Sequence, residues 1–322
     1  DIFIITGSHL LEPVRDALPE LPPENVVAEP AKRNTAPCLG LAAGFIKERY
    51  SEEYNADEIS IAVLTADQRI SPNDKFIETV QAALDHVEKN PVLSTIGIMP
   101  DRPETGYGYV EVEEPFSKVK GVEIKPVKQF REKPDVETAK KYVAAGNYLW
   151  NSGMFFWRLD TFIDAMKKAL PIVGNDIDNI AKRYKGKTKV DFECPYQEIT
   201  DIFKNFPNIS IDYGLMEKAE NVVVTKALFR WDDIGSWDAL DRYKDKDNSG
   251  NVKIGESINT DTENSIIVNN SSEGKIVVST LGLDNMAVIV TDDAVLVCPK
   301  DQVQDVKKNV QKIKDAGKDE WL

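Results

Sequence analysis

The chain has 322 residues, 42% hydrophobic and 29% charged, a composition ordinary for a soluble globular protein with one large or two moderate domains. Its formal net charge of -14 argues against the basic stripe of a nucleic-acid-binding surface, but not against nucleotides, which a few local Lys and Arg can bind inside an acidic protein. Cys38, Cys194 and Cys298 are scattered, only two histidines are present, and no apolar run is long enough to span a membrane; a Cys/His zinc site, a disulfide framework and a membrane protein are therefore not expected, which fits a reducing, cytoplasmic setting.

Apolar runs rich in β-branched residues alternate with helical periods. Residues 1–6 (DIFIIT), 24–29 (ENVVAE), 59–65 and 92–98 read as strands. The first starts inside its strand, without Met or lead-in, so a segment is expected to precede it. A helix is predicted over 35–49, with Thr35 as N-cap and Pro37 in the first turn, and another over 73–89 with Phe76, Val80, Ala83 and Val87 on one face. This alternation predicts an α/β fold: a Rossmann-like, mixed and mostly parallel sheet sandwiched by helices. Residues 105–157 are more β-rich, and helices are expected at 135–145, 159–169 and 196–204. After about residue 243 the polar stretch DKDNSGN marks a boundary. Five short strands follow at regular spacing, then an amphipathic helix over 301–314, which suggests a small all-β or β-helix-like unit. The expected domains are 1–243 and 244–322.

Several segments carry residues suited to chemistry. VLTADQRI (63–70) ends a buried strand with Asp67, either a turn aspartate or a hard oxygen ligand for Mg²⁺, which prefers one or two carboxylates plus substrate phosphates. FRWDDIGSW (229–237) sets Asp232 and Asp233 between two tryptophans. If 222–233 is a strand, the two carboxylates point to opposite faces, so that one can meet a cation and the other solvent or a backbone amide; the alternative is a polar turn. EPAKRNTAP (29–37) joins a strand to a helix N-terminus. Glu29 can accept two parallel hydrogen bonds from guanine, and backbone N–H groups near Asn34, Thr35 and Ala36 can meet an acceptor on the base; a capped loop with solvated charges is the plainer reading. FREKP (130–134) places Glu132, a sugar-hydroxyl acceptor, and Lys133, a compact charge for phosphate, at a strand end, where charged residues are also common without function. PETGYGYV (103–110) has glycines, Gly108 among them, that let backbone approach a ligand. YLWNSGMFFW (148–157) surrounds Asn151 with aromatics, where the buried amide needs either backbone partners or sugar hydroxyls.

Taken together and in order, EPAKRNTAP, LTADQRI, ETGYGYVEV, FREKP, YLWNSGMF and FRWDDIGSWDAL closely resemble the mannose-1-phosphate guanylyltransferases, a sugar nucleotidyltransferase family, from the first strand to about residue 243. The tail resembles that family's short β-helix-like domain. The resemblance implies that GTP and α-D-mannose 1-phosphate give GDP-mannose and pyrophosphate by in-line attack on the α-phosphorus, with Mg²⁺ or another divalent cation and no covalent enzyme intermediate. It implies Asp67 and Asp233 as the metal-binding pair, which selects Asp233 over Asp232 by analogy, Lys133 on the sugar phosphate, Glu132, Asn151 and Gly108 at the sugar, and 29–36 as the base-binding loop. It also implies a homodimer to which the C-terminal unit contributes. The sequence departs from the family in having no GGxGxRLxPL loop ahead of residue 1; a polypeptide starting at Asp1 is expected to lack half of the triphosphate site and a central strand, and to have little activity.

Overall fold

The computed structural model describes residues 1–114, 117–187, 197–272 and 275–321, so the expectation attached to Cys194 lies outside the described residues. The chain divides into two compact units. The first comprises Asp1–Ala66 and Ile70–Trp231, the second Asp67–Arg69 and Asp232–Leu322.

The first unit is built on a seven-stranded mixed sheet. Leu93–Ile98 is buried along its whole length, as its continuous apolar and small residues predict. It pairs in parallel with Val222–Lys226 and antiparallel with Tyr148–Arg158. The latter strand also pairs antiparallel with Ser60–Val63 and with Tyr109–Val112. A register shift between Thr95 and Gly97 bends this central ladder opposite Asn151. Gly97 has no room for more: a Cβ there would lie 2.5 Å from Val224 Cγ2. Helices Thr35–Arg49 and Asn73–Lys89 follow the sequence reading, and the second buries Ala82, Ala83 and Val87 as its helical period requires. Leu159–Ala169 likewise forms as expected.

A separate parallel pair, Ile4–Gly7 with Val26–Glu29, does not join that sheet among the described residues. An apolar cavity of about 680 Å³ is lined by Ile5 from the pair, by Phe3 just before it, and by Ile61, Val63, Phe155 and Trp157 from the larger sheet.

Two local expectations are corrected. The N-cap of the helix at Thr35 is Asn34, whose side chain accepts from the Thr35 N–H, because Asn34 has the positive φ (67°) that turns the chain into the helix. The stretch 222–233 is not one strand: Val222–Lys226 and Arg230–Asp232 are separate, and Asp233 follows the second one.

The second unit stacks short strands coil upon coil. Val252–Ile254, Ile266–Asn269 and Met286–Val290 run parallel in register, and Met286–Val290 pairs antiparallel with Val295–Pro299. Ser257–Thr260 and Val278–Leu281 form a second parallel face. Corners are turned at Asp261, Asn264 and Asn285, all at positive φ, where Asn and Asp are the least strained side chains. Inside, the Asn251 amide donates to the Thr262 carbonyl at 2.7 Å and accepts from the Ser265 N–H at 2.9 Å, binding one coil to the next. The terminal amphipathic stretch begins as a 3₁₀ segment, Lys300–Asp305, before the α-helix Val306–Asp315.

Candidate functional site

Three of the residues read from separate stretches of sequence, Asn34, Glu132 and Lys133, meet at one cleft of the first unit, about 520 Å³, with Ser210, Asp212 and Tyr213. Glu132 and Lys133 follow the strand Val122–Arg131. Lys133 takes a positive φ (46°), which turns its side chain away from the sheet direction, and its ammonium lies 3.3 Å from Glu132 Oε1. The Lys133 side chain is 62% exposed and that of Glu132 is 14% exposed, so the carboxylate is held and the ammonium is accessible. Burial pushes the Glu132 carboxyl above its ordinary value, the nearby Asp212 charge adds to this, and Lys133 opposes it.

Gly108 makes room for that carboxylate: a Cβ would stand 2.3 Å from Glu132 Oε2. Its open face is thus filled by a side chain of the protein, and its carbonyl accepts from the Asn151 N–H at 2.8 Å. The Asn151 side chain bridges two buried groups. Its Oδ1 accepts from the Thr95 hydroxyl at 2.9 Å and its Nδ2 donates to Asp212 Oδ1 at 2.7 Å.

Asp212 was missed by sequence reasoning. It opens the π-helical segment Asp212–Met216 in the stretch SIDYGLME, and burial pushes its carboxyl up. The signal available was a single acid between apolar residues that turn out buried, Ile211 on one side and Leu215 and Met216 on the other.

The 29–36 loop is fastened to the same wall. The Thr35 hydroxyl accepts from the Ile211 N–H at 2.8 Å, and the Ala36 N–H donates to the Ile209 carbonyl at 3.2 Å. With the Thr35 N–H held by Asn34 Oδ1 at 2.8 Å, two of the amides expected to face a base are engaged by protein acceptors. Glu29 ends the strand Val26–Glu29 and is half-buried. Its Oε1 is buried with no hydrogen-bond partner, while the Cys38 thiol bonds the carboxylate; burial raises its pKa to about 6. A buried acceptor without a donor costs free energy that a donor reaching it would recover.

Asp67 and Asp233 fall in the second unit. Asp67 is exposed and Asp233 half-buried. The neighbouring Asp232 is gripped by Arg242, through Nε and through Nη2 at 2.8 Å, and accepts from the Ile234 N–H at 2.9 Å. Asp233 Oδ1 instead accepts from the Gly235 N–H at 3.1 Å, and a Cβ on Gly235 would come within 2.7 Å of Asp233 Oδ2. The two carboxylates therefore have different environments: Asp232 meets a backbone amide, one of the two alternatives expected, and in addition a guanidinium that was not expected. No group of three or more His, Cys, Asp or Glu side chains is gathered for a metal ion among the described residues. Asp67 and Asp233 are oxygen donors of the type that Mg²⁺ prefers, and Asp232, the neighbour of Asp233, is already neutralised by Arg242.

Comparison with known proteins places the chain in a family. Residues 1–250 match the model of the nucleotidyl transferase family, and residues 255–313 match the MannoseP isomerase/GMP-like beta-helix domain. A mannose-1-phosphate guanylyltransferase of Escherichia coli (strain K12) is 38% identical over 298 residues, 92% of this chain and 59% of the relative. The xanthan biosynthesis protein XanB of Xanthomonas campestris pv. campestris (strain B100) is 35% identical over 92% of this chain and 59% of its own. The chain thus spans about three-fifths of the length of these curated relatives. Among solved structures, that of mannose-1-phosphate geranyltransferase from Thermus thermophilus superposes with a TM-score of 0.73 at 28% identity, covering 95% of this chain and 89% of the other.

Proposed function

We propose, on the premise that this chain belongs to the nucleotidyl transferase family through residues 1–250, that it transfers the guanylyl group of GTP to α-D-mannose 1-phosphate. A phosphate oxygen of the sugar phosphate attacks the α-phosphorus in line; the new P–O bond forms as the bond to the bridging oxygen breaks, and pyrophosphate leaves. The observation that carries this reading is the cleft in which an accessible Lys133 stands beside two half-buried carboxylates, Glu132 and Asp212, on a wall shared with Asn34. An ammonium and two acceptors in one small cleft match a ligand that has phosphate at one end and hydroxyls at the other. Lys133 offsets the charge of the attacking phosphate, and Glu132 orients the sugar by accepting from a hydroxyl. Glu29, whose inward oxygen has no donor, reads the N1–H and N2–H₂ edge of guanine.

Asp67 and Asp233 would hold Mg²⁺, which when bound supplies positive charge against the triphosphate. Asp232 is excluded from that role by its guanidinium partner. The same reading takes the protein to be a cytoplasmic homodimer. Among the described residues no helix is long and apolar enough to cross a membrane.

Pyrophosphate release with mannose 1-phosphate, measured side by side with GTP, UTP and dTTP and with Mg²⁺ present or chelated, tests the proposal. GTP is expected to be preferred by at least tenfold and chelation to stop turnover. A preference for UTP would overturn the substrate assignment, and GDP-mannose binding without pyrophosphate release would identify a sensor instead of an enzyme.

A further inference from the structure

Both ends of the Asn151 amide are engaged inside the protein. Oδ1 faces two donors, the Thr95 hydroxyl at 2.9 Å and the Gly153 N–H at 3.3 Å, and Nδ2 donates to Asp212 at 2.7 Å. The reverse orientation would set a carbonyl oxygen against the Asp212 carboxylate, so the network admits one arrangement. Thr95 is itself fully buried, and its hydroxyl is anchored by the Met154 carbonyl at 2.9 Å. The side chain that lines the cleft with Glu132 and Lys133 is that of Asp212, and Asn151 stands behind it.

We propose that Asp212 is the group that takes a sugar hydroxyl and that Asn151 is a positioning residue, holding the carboxylate toward the cleft. This inference rests on the reaction proposed above and reverses the role that the resemblance gave to Asn151. Three further observations support it. The Asp212 carboxylate is largely desolvated; Asn151, its own backbone N–H and the Ser210 side chain donate to it, and its two oxygens, with about four acceptor sites, keep capacity for a hydroxyl. Its backbone is fixed on the N-terminal side, where Ile211 and Ile209 are tied to Thr35 and Ala36. Glu132 raises no barrier to this division of labour, since hydroxyls donate to both acids while the phosphate takes Lys133.

The test is calorimetric titration of the protein and its variants with mannose 1-phosphate, with each of its monodeoxy analogues and with GTP, together with steady-state pyrophosphate release on the same variants. Asp212→Asn is expected to weaken mannose 1-phosphate binding at least tenfold and to leave GTP within twofold. The analogue whose missing hydroxyl costs the wild type about tenfold should cost this variant nothing further. Asn151→Ala is expected to weaken the sugar phosphate less, raising its KM with little change in kcat, while keeping the wild-type preference among the deoxy analogues. Loss of that preference in Asn151→Ala, or its retention in Asp212→Asn, overturns the inference. Asn151→Ala alone decides the matter if Asp212→Asn does not fold. A wild-type protein that binds no hexose 1-phosphate fails the proposed reaction, whereas one that binds and discriminates equally well in Asp212→Asn fails this inference alone.

Discussion

Two sets of carboxylates, one from each unit, are treated in opposite ways. In the second unit they are tied to cations. Arg242 grips Asp232 and reaches Asp238 at 2.9 Å, Lys300 meets Asp241 at 2.5 Å, and Lys253 meets Asp247 at 2.6 Å. The Asp247 carboxyl is held well below the usual range, first by the Lys253 ammonium and then by the Asn251 N–H. In the first unit Glu29, Glu132, Asp212 and Glu217 are all pushed upward, with burial the leading cause in each. Paired acids lower the energy of the fold at neutral pH; buried, underpaired acids raise it and persist where a ligand supplies the missing donors. By this contrast acids of the first unit such as Glu29, Glu132 and Asp212 belong to recognition, and most acids of the second to architecture, with Asp233 the exception to be tested.

The sharpest break in the comparison is expected at the two adjacent aspartates. Asp233→Asn should reduce turnover by about 10³-fold, the scale of losing a principal electrostatic contact to the reacting phosphates, with an unchanged melt. Asp232→Asn should lose less than tenfold in turnover and melt lower, because Arg242 loses its charged partner. Pyrophosphate release and a thermal melt on both variants decide it: equal losses of turnover would place Asp232 and Asp233 in one functional class and end the distinction. A smaller effect is expected at Arg242→Met, which leaves the half-buried Asp232 without its guanidinium. A loss of about 1–3 kcal/mol is typical for a charged hydrogen bond of this kind, with substrate KM values unchanged. A raised KM for mannose 1-phosphate in that variant would contradict the architectural assignment.

Legibility in the sequence followed the range of the interactions involved. Helices Asn73–Lys89 and Leu159–Ala169 were readable because their apolar period is local, and so was Glu132–Lys133, where Pro134 closes a strand. The choice between Asp232 and Asp233 was left to analogy. It depends on Arg242, ten residues away, which the turn with Ile234 at φ 48° brings back, and no spacing rule encodes that return. Asp212 was hidden for a similar reason: its partner Asn151 lies 61 residues away on a central strand, held there in turn by Thr95. The helix start was misread by one residue because Thr35 is as good a cap as Asn34 by type, and the positive φ that favours Asn34 is a property of the loop.

The mildest effect, and the one that joins stability to recognition, concerns Glu29. Its carboxyl is raised from 4.5 to about 6, so the native state binds its proton more tightly than the unfolded chain does. Between those two values stability must fall as pH rises, and above about 6 the wild-type protein carries the full cost of the buried charge. Glu29→Gln removes that cost. The variant is therefore expected to melt higher than wild type at pH 7.5, with the difference closing as pH falls toward 4.5, the unfolded value. Solvent screening keeps the difference small, because the group is only half-buried. A saturating guanine nucleotide should reverse the order, since the base donates to a carboxylate that glutamine cannot mimic at both oxygens. A melt difference that ignores pH would mean that the burial of Glu29 carries no electrostatic cost. A nucleotide that stabilises both forms equally would remove Glu29 from base recognition and leave it a buried acid paired with the Cys38 thiol alone.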